Sequence, residues 1–160
     1  MPILLRRVDE RLIHGQVVIG WGRHLRPDHY LVVDDAIAES DWEQELYLLA
    51  VDGEADVTFI SVDEAREQWD LLEKEDERTI LLVRDIETMS RLAKGGLMAG
   101  EEVNLGGIHH TAGRVAVRPY LHLAPEDRLH IQELVNEDVR VSARDLPDAA
   151  AVTLDELLQG

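Results

Sequence analysis

Seven short apolar runs punctuate the chain: Ile3-Leu4-Leu5, Tyr30-Leu31-Val32-Val33, Val57-Thr58-Phe59-Ile60, Thr79-Ile80-Leu81-Leu82-Val83, Val103-Asn104-Leu105, Val115-Ala116-Val117 and Val139-Arg140-Val141. Most are β-branched and nearly continuous, the pattern of strands buried on both faces. Between them apolar residues recur near every 3.6 positions. Trp42, Leu46, Leu49 and Ala50 form one such stripe, preceded by Ser40 and Glu43 at capping-box spacing. Ser61 and Glu64 repeat that spacing before Val62, Ala65, Trp69 and Leu72, and Thr153 and Glu156 repeat it near the C-terminus. Ile86, Met89, Leu92 and Ala93 make a further stripe that Gly95-Gly96 is suited to end. Pro125 suits a first helical position ahead of Ile131, Leu134 and Val135.

Strands alternating with helices of this length predict right-handed βαβ units, and so an open α/β fold whose mostly parallel sheet carries helices on both faces. The 103–123 region breaks the rhythm, with two apolar runs, a Gly- and His-rich link and no room for a helix. It reads as a hairpin or a bent crossover. In such sheets ligands gather at the carboxyl ends of the strands, which directs attention to Asp9–Gly15, Asp34-Asp35, Ser61 and Gly106-Gly107.

The chain has 160 residues, no repeat and no Pro/Gly/Ser linker, so residues 1–160 are expected to form one domain. Its formal net charge of −17 disfavours nucleic acid and anionic membranes as partners, because those surfaces are bound through clustered Lys and Arg. With no Cys, disulfides, thiolate metal sites and Cys nucleophiles are excluded. No apolar run approaches a membrane span of about 18 residues, and the N-terminus is apolar before it is basic, the reverse of a secretory signal. A cytoplasmic protein without membrane insertion is expected.

The segment richest in chemistry is Arg7-Val8-Asp9-Glu10-Arg11-Leu12-Ile13-His14-Gly15-Gln16-Val17, followed by a predicted helix presenting Val17, Val18, Trp21 and Leu25 on one face. His14 then stands at a helix N-terminus, where unpaired N–H groups and the dipole favour anions, and Gly15 permits close approach of the backbone. Arg7 and Arg11 supply permanent cations nearby. A neutral imidazole in that setting can attack a phosphoryl group while the arginines and N–H groups neutralise its oxygens. On pattern alone, a His that merely organises the turn is the better account of the segment.

The unbroken eleven-residue stretch from Arg7 to Val17 closely resembles the signature of the IIB component of the mannose/fructose/sorbose class of the bacterial sugar phosphotransferase system (PTS). Trp21, Val32-Val33-Asp34-Asp35, Ser61-Val62-Asp63-Glu64-Ala65, Asn104-Leu105-Gly106-Gly107, Val139-Arg140-Val141 and Pro147 extend the resemblance over nearly the whole chain. The resemblance implies a mainly parallel seven-stranded sheet and a sugar phosphotransferase whose phosphorylated nucleophile is His14, attacking through Nδ1. It implies a phosphodonor IIA protein, a membrane IIC/IID permease, a sugar substrate and a cytoplasmic location peripheral to the inner membrane. An alternative is a regulatory PTS module that reports phosphorylation state without sugar transport. In this scheme Arg11 binds the phosphoryl oxygens beside the N–H groups of Gly15 and Gln16. Asp9 positions Arg11 or the ring, and Arg7, Asn104, Gly106 and Gly107 complete the phosphoryl-binding set. Two departures stand out: Glu10 follows Asp9 where many relatives have a second Asp, and Glu137-Asp138 occupies a turn where a Gly is common.

Other constellations carry less. Adjacent His109 and His110, with His122 and His130, lack the convergence a metal requires, since neighbours on a strand point to opposite faces. One of the pair is expected to line the site or a partner surface. Asn104-Leu105-Gly106-Gly107 either lets backbone approach a phosphoryl group or makes a tight turn. Asp34-Asp35 could hold Mg²⁺, but capping or loop orientation is the preferred reading, because a phosphohistidine relay needs no metal or other cofactor. Trp42, Trp69 and Trp21 are expected in the core, Trp21 beneath the His14 loop. No dinucleotide or Walker-type fingerprint is present.

The charge is unevenly spread. Residues 1–26 hold five Arg against Asp9 and Glu10, and residues 103–125 hold Arg114, Arg118 and three His with no acid. These two segments are expected to converge, Arg114 and Arg118 included, around one small anion.

Overall fold

The structure is a computed structural model and describes residues 3–159. Strand β1 (Ile3–Val8) leads through a loop into a π-helical segment, Gln16–Gly22, that continues as α1 (Arg23–Leu25). There follow β2 (His29–Val33), a 3₁₀ turn (Ile37–Glu39), α2 (Asp41–Val51), β3 (Asp56–Ile60), α3 (Val62–Glu67), α4 (Trp69–Lys74), β4 (Thr79–Val83) and α5 (Ile86–Ala93). The second half comprises β5 (Glu102–Leu105), β6 (Val115–Arg118), β7 (Leu121–Leu123), α6 (Pro125–Asn136), β8 (Arg140–Ala143) and α7 (Leu154–Leu158).

The main sheet has six strands in the order β3-β2-β4-β1-β5-β8, all paired in parallel. The expected seventh member, the 115–117 run, is instead β6, which pairs antiparallel with β7 in a separate two-stranded sheet. The 103–123 region is thus neither a hairpin of its two apolar runs nor a simple crossover, since β5 joins the main sheet and β6 folds onto Leu121–Leu123. Pattern alone missed β7 because three residues are too few to show a period.

After β1 the chain turns toward β2; after β5 it turns toward β8. The connections leaving these two adjacent strands diverge, and the crevice they leave at their carboxyl ends is where open α/β sheets seat ligands. Both segments singled out by charge emerge there.

Alternation along the strands divides the core. Leu31, Val33, Leu81, Val83, Val103 and Leu105 face buried residues of α3 to α7, among them Trp69, Met89, Leu92, Ile131 and Leu157. Tyr30, Val32, Ile80 and Leu82 face Leu12, Ile13, Val17, Ile37 and Val51. Ser61, Thr153 and Asp85 cap α3, α7 and α5 as side-chain acceptors. Gly95 and Gly96, at φ 81° and 79°, stop α5 in the left-handed region as expected. Trp69 and Trp21 are buried, also as expected.

Helix α2 departs from expectation. Trp42, Leu46, Leu49 and Ala50 point outward, with Trp42 66% and Leu49 76% exposed, and Ser40 makes no side-chain cap bond. Only Val51 of this helix is buried, and half-buried Tyr47 reaches the ring of Phe59. The helical period was right, but its apolar stripe is not the face turned to the sheet. Among the described residues no helix is long and apolar enough to cross a membrane.

Candidate functional site

Arg7, read from sequence as the start of a loop, lies on β1, in register with Asn104 on β5. Neighbours in parallel strands point their side chains to the same face. The Arg7 guanidinium accordingly donates to Asn104 Oδ1, to the carbonyls of Arg144 (2.8 Å) and Asp145 (3.1 Å) and to Asp9 Oδ2 (3.2 Å). It is fully buried over the Trp21 ring, 5.2 Å from the centroid, while Trp21 Nε1 donates to the Asp145 carbonyl. Burial lowers the Arg7 pKa, against the opposing charge of Asp9. A guanidinium so enclosed is a strut for the loop above it.

That strut supports Asp9, where several donors converge. Its Oδ1 accepts from the backbone N–H (3.1 Å) and Nε (3.2 Å) of Arg11, and its Oδ2 from Arg7, Arg11 Nη2 (3.3 Å) and the N–H of Gly107 (3.1 Å). Burial pushes the Asp9 carboxyl up, but the Arg11 bonds and the charges of Arg7 and His14 outweigh it and hold the pKa below 3.8. Asp9 therefore remains a carboxylate. Arg11 also donates from Nη2 to Gln16 Oε1 at 2.9 Å. Among the described residues Nη1 of Arg11 has no hydrogen-bond partner, and the side chain is 33% exposed. Arg7 Nε is also unbonded among the described residues but is sealed in the core, so Arg11 is the arginine whose free donor can meet an incoming group.

The loop reaches His14 through Leu12, whose φ of 55° is unusual for a bulky residue. Leu12 is buried, so packing pins this conformation, and its carbonyl meets His14 Nδ1 at 2.9 Å. A carbonyl only accepts, so Nδ1 donates and the ring carries its proton there. Nε2 is buried and, among the described residues, has no hydrogen bond; it lies 3.8 Å from Asp9 Oδ2. Burial lowers the His14 pKa below 6.5; Asp9 and the Leu12 bond pull upward, and Arg11 and Arg7 add to the lowering. The ring is neutral at pH 7. Beyond it Gly15 is exposed and helical, with open space where a Cβ would stand, and the first turn of the following helix holds no acid.

The loop after β5 forms the opposite wall. Gly106 and Gly107 lie against the guanidinium groups of Arg7 and Arg11, and Gly107 accepts the N–H of Glu10 at 2.9 Å. The structure thus brings together Arg7, Asp9, Arg11, His14, Gln16, Asn104, Gly106 and Gly107. Asn104, Gly106 and Gly107 abut the arginines directly.

Glu10 ties the walls together. Its carboxylate accepts from the His109 N–H (3.0 Å) and from Arg114 Nη1 (2.7 Å), and pairs with His109 Nδ1 at 2.8 Å. The expected convergence of cations is half met: Arg114 reaches the first loop through Glu10, whereas Arg118 pairs with Glu156 at 2.6 Å. Of the histidines, His109 joins Glu10, His110 stacks edge-on against His122, and His130 pairs with Glu133. Asp34 accepts from the N–H groups of Ala36 and Ile37, and Asp35 from that of Val62, so this pair caps turns. Sequence reasoning missed the Arg144 and Asp145 carbonyls, since backbone acceptors have no residue-type signal.

The fold and this crevice define an open parallel α/β domain that presents a neutral histidine beside a pinned arginine on its first strand-to-helix loop. The profile of the family described as "PTS system sorbose subfamily IIB component" matches residues 3–160, and the chain belongs to that family of sugar phosphotransferase components. It is 27% identical over 161 residues to the sorbose-specific EIIB component of Lacticaseibacillus casei, covering 98% of each chain. It is 26% identical over 148 residues to the N-acetylgalactosamine-specific phosphotransferase enzyme IIB component 1 of Escherichia coli K12, covering 91% of each. The crystal structure of manxB from Thermoanaerobacter tengcongensis superposes with a TM-score of 0.87 at 27% identity, covering 98% of this chain and 94% of that one.

Proposed function

We propose that His14 accepts a phosphoryl group from a phosphohistidine of a IIA protein and passes it to a sugar hydroxyl at a membrane IIC/IID permease, where the protein works peripherally on the cytoplasmic side. The observation that carries this reading is Arg11, fixed on two sides by Asp9 and Gln16 with Nη1 unpartnered among the described residues, beside a neutral ring.

Attack through Nδ1 requires its lone pair, so the Leu12 bond must break and the ring proton move to Nε2. Asp9 Oδ2, already 3.8 Å from Nε2, is placed to receive that N–H after a small ring movement. The Nδ1 lone pair then forms the N–P bond while the donor's N–P bond breaks, its electron pair remaining on the donor ring. His14 becomes a phosphorylated imidazolium whose charge the Asp9 carboxylate balances. Arg11 Nη1 and the N–H groups of Gly15 and Gln16 face the transferring oxygens, fixed in advance of the charge that develops there. In transfer to sugar the hydroxyl oxygen forms its P–O bond as the His14 N–P bond breaks, the electron pair returning to Nδ1 and the hydroxyl proton passing to a base on the permease; the ring proton then moves back to Nδ1 and the Leu12 bond re-forms. Arg7, Asn104, Gly106 and Gly107 act by holding Asp9 and Arg11 in place.

Incubation with phosphoenolpyruvate, the general phosphotransferase proteins and a cognate IIA tests this reading. Acid-labile phosphoprotein is expected with the wild type and none with His14→Ala; label that persists in the variant would refute it.

A further inference from the structure

The exposed side of α2 has a composition that solvent alone does not explain. Trp42, Leu46 and Leu49 follow one another at helical spacing on the outside, and Leu48 is also exposed. Apolar side chains gathered in this way, with a polar rim, mark interaction sites. The charged residues flanking it along the chain carry one sign. Between Arg26 and Arg66 the chain has twelve Asp and Glu and no Lys or Arg, and Glu39, Asp41, Glu45 and Asp52 flank the stripe in exposed positions.

Position links this surface to the His14 loop. Glu43 and Tyr47, one helical step around from Trp42 and Leu46, line a depression of about 490 Å³ whose other walls are Arg84, Asp85, Arg114 and Glu10. Glu10 directly follows Asp9 and holds the second loop against the first. A protein seated on α2 therefore borders the loop that presents His14.

We infer that the Trp42-Leu46-Leu49 face of α2 is the docking surface for the phosphodonor protein, which meets it with an apolar patch ringed by Lys and Arg. This rests on His14 being the phosphoryl acceptor. A second copy of the chain is disfavoured as occupant, because pairing two α2 faces would set acidic rims against each other. Trp42 is the anchor, as the largest exposed apolar side chain of the stripe and of a type that tends to carry association.

The test compares wild type with Trp42→Ser/Leu46→Ser/Leu49→Ser and with Asp41→Lys/Glu45→Lys, each checked for an unchanged unfolding midpoint. With phospho-IIA as donor, both variants should raise the KM for this chain, the triple variant roughly tenfold or more, with kcat little changed. Added salt should raise the wild-type KM. Chemical labelling of His14 by phosphoramidate, which needs no docking, should be equal in all three proteins. An unchanged KM in the triple variant overturns the assignment. So does a loss confined to the later transfer through IIC/IID, or a wild-type dimer in sedimentation that the triple variant abolishes. Failure of phosphoramidate to label His14 in any of the proteins defeats the underlying site reading instead, and is distinguished by appearing in wild type.

Discussion

Gly107 packs directly on the guanidinium of Arg11: a Cβ at that position would lie 2.8 Å from Nη2. Gly106 stands in the same relation to Arg7, and more tightly. The two arginines differ in freedom, since Arg11 is one-third exposed and Arg7 is fully buried with four acceptors around it. Gly107→Ala should therefore displace Arg11 at a stability cost below about 1 kcal/mol while slowing phosphorylation of His14. Gly106→Ala has no flexible tip to push aside and should cost about 1–3 kcal/mol. Urea unfolding and the rate of phosphoprotein formation separate the two effects; equal destabilisation by both substitutions would contradict this account.

Asp9→Asn should be more damaging than either. It leaves the buried Arg7 without its carboxylate and Arg11 without its main anchor, and breaking a buried pair of this kind costs about 3–5 kcal/mol. The pH dependence follows from the depressed Asp9 pKa. The unfolded chain takes up this proton first, so the contribution of Asp9 is present above the ordinary value of 3.8 and is lost as pH falls through the lower folded value. Stability measured between pH 6 and pH 3 should therefore fall more steeply in wild type than in Asp9→Asn.

His14 has the opposite charge type and the same sign of linkage. Its folded pKa lies below 6.5 because burial disfavours the imidazolium, so below pH 6.5 the unfolded state binds the proton first and stability declines with falling pH. From about one pH unit above 6.5 both states are neutral and the residue contributes no slope. Two measurements follow: the stability difference between wild type and His14→Ala should tilt against wild type as pH drops below 6.5, and phosphorylation by phosphoramidate should continue without a half-loss at pH 6.5. A labelling rate that halves at that pH would show a ring with ordinary basicity.

Much of this site was legible in the sequence because its parts are contiguous. Asp9, Arg11, His14 and Gln16 fall within eight residues, and the alternation of strands with helices placed them at the carboxyl end of β1. The way the rest of it is held was not. Asn104, Gly106 and Gly107 stand out in the sequence as phosphoryl-binding candidates, but that Asn104 meets Arg7 through strand register and that the glycines make room for the two guanidinium groups needed the structure, and the Arg144 and Asp145 carbonyls would serve equally from any residue. Helix α2 shows the limit from the other side. Its stripe at Trp42, Leu46 and Leu49 has the period of a buried face, and period cannot distinguish a face that meets the sheet from one turned away from it.

The turn into β8 offers a prediction free of the His14 loop. Asp138 adopts φ 62° after the end of α6. The conformation is locked by three backbone bonds: the Asp138 N–H to Val135, the Val139 N–H to Leu134, and the Asp138 carbonyl accepting from Gly100. Its exposed side chain makes no hydrogen bond among the described residues that would offset a left-handed backbone. Glycine removes the Cβ clash, worth about 1–2 kcal/mol for an ordinary residue and less for Asp, but loosens the unfolded chain by about 0.4–1 kcal/mol. Asp138→Gly should accordingly gain up to about 1 kcal/mol, whereas Asp138→Ala keeps the clash and should be no more stable than wild type. Chemical denaturation of the three proteins gives the order directly, and His14 labelling should be the same in each. An alanine variant more stable than the glycine one would mean that something other than backbone strain governs this turn.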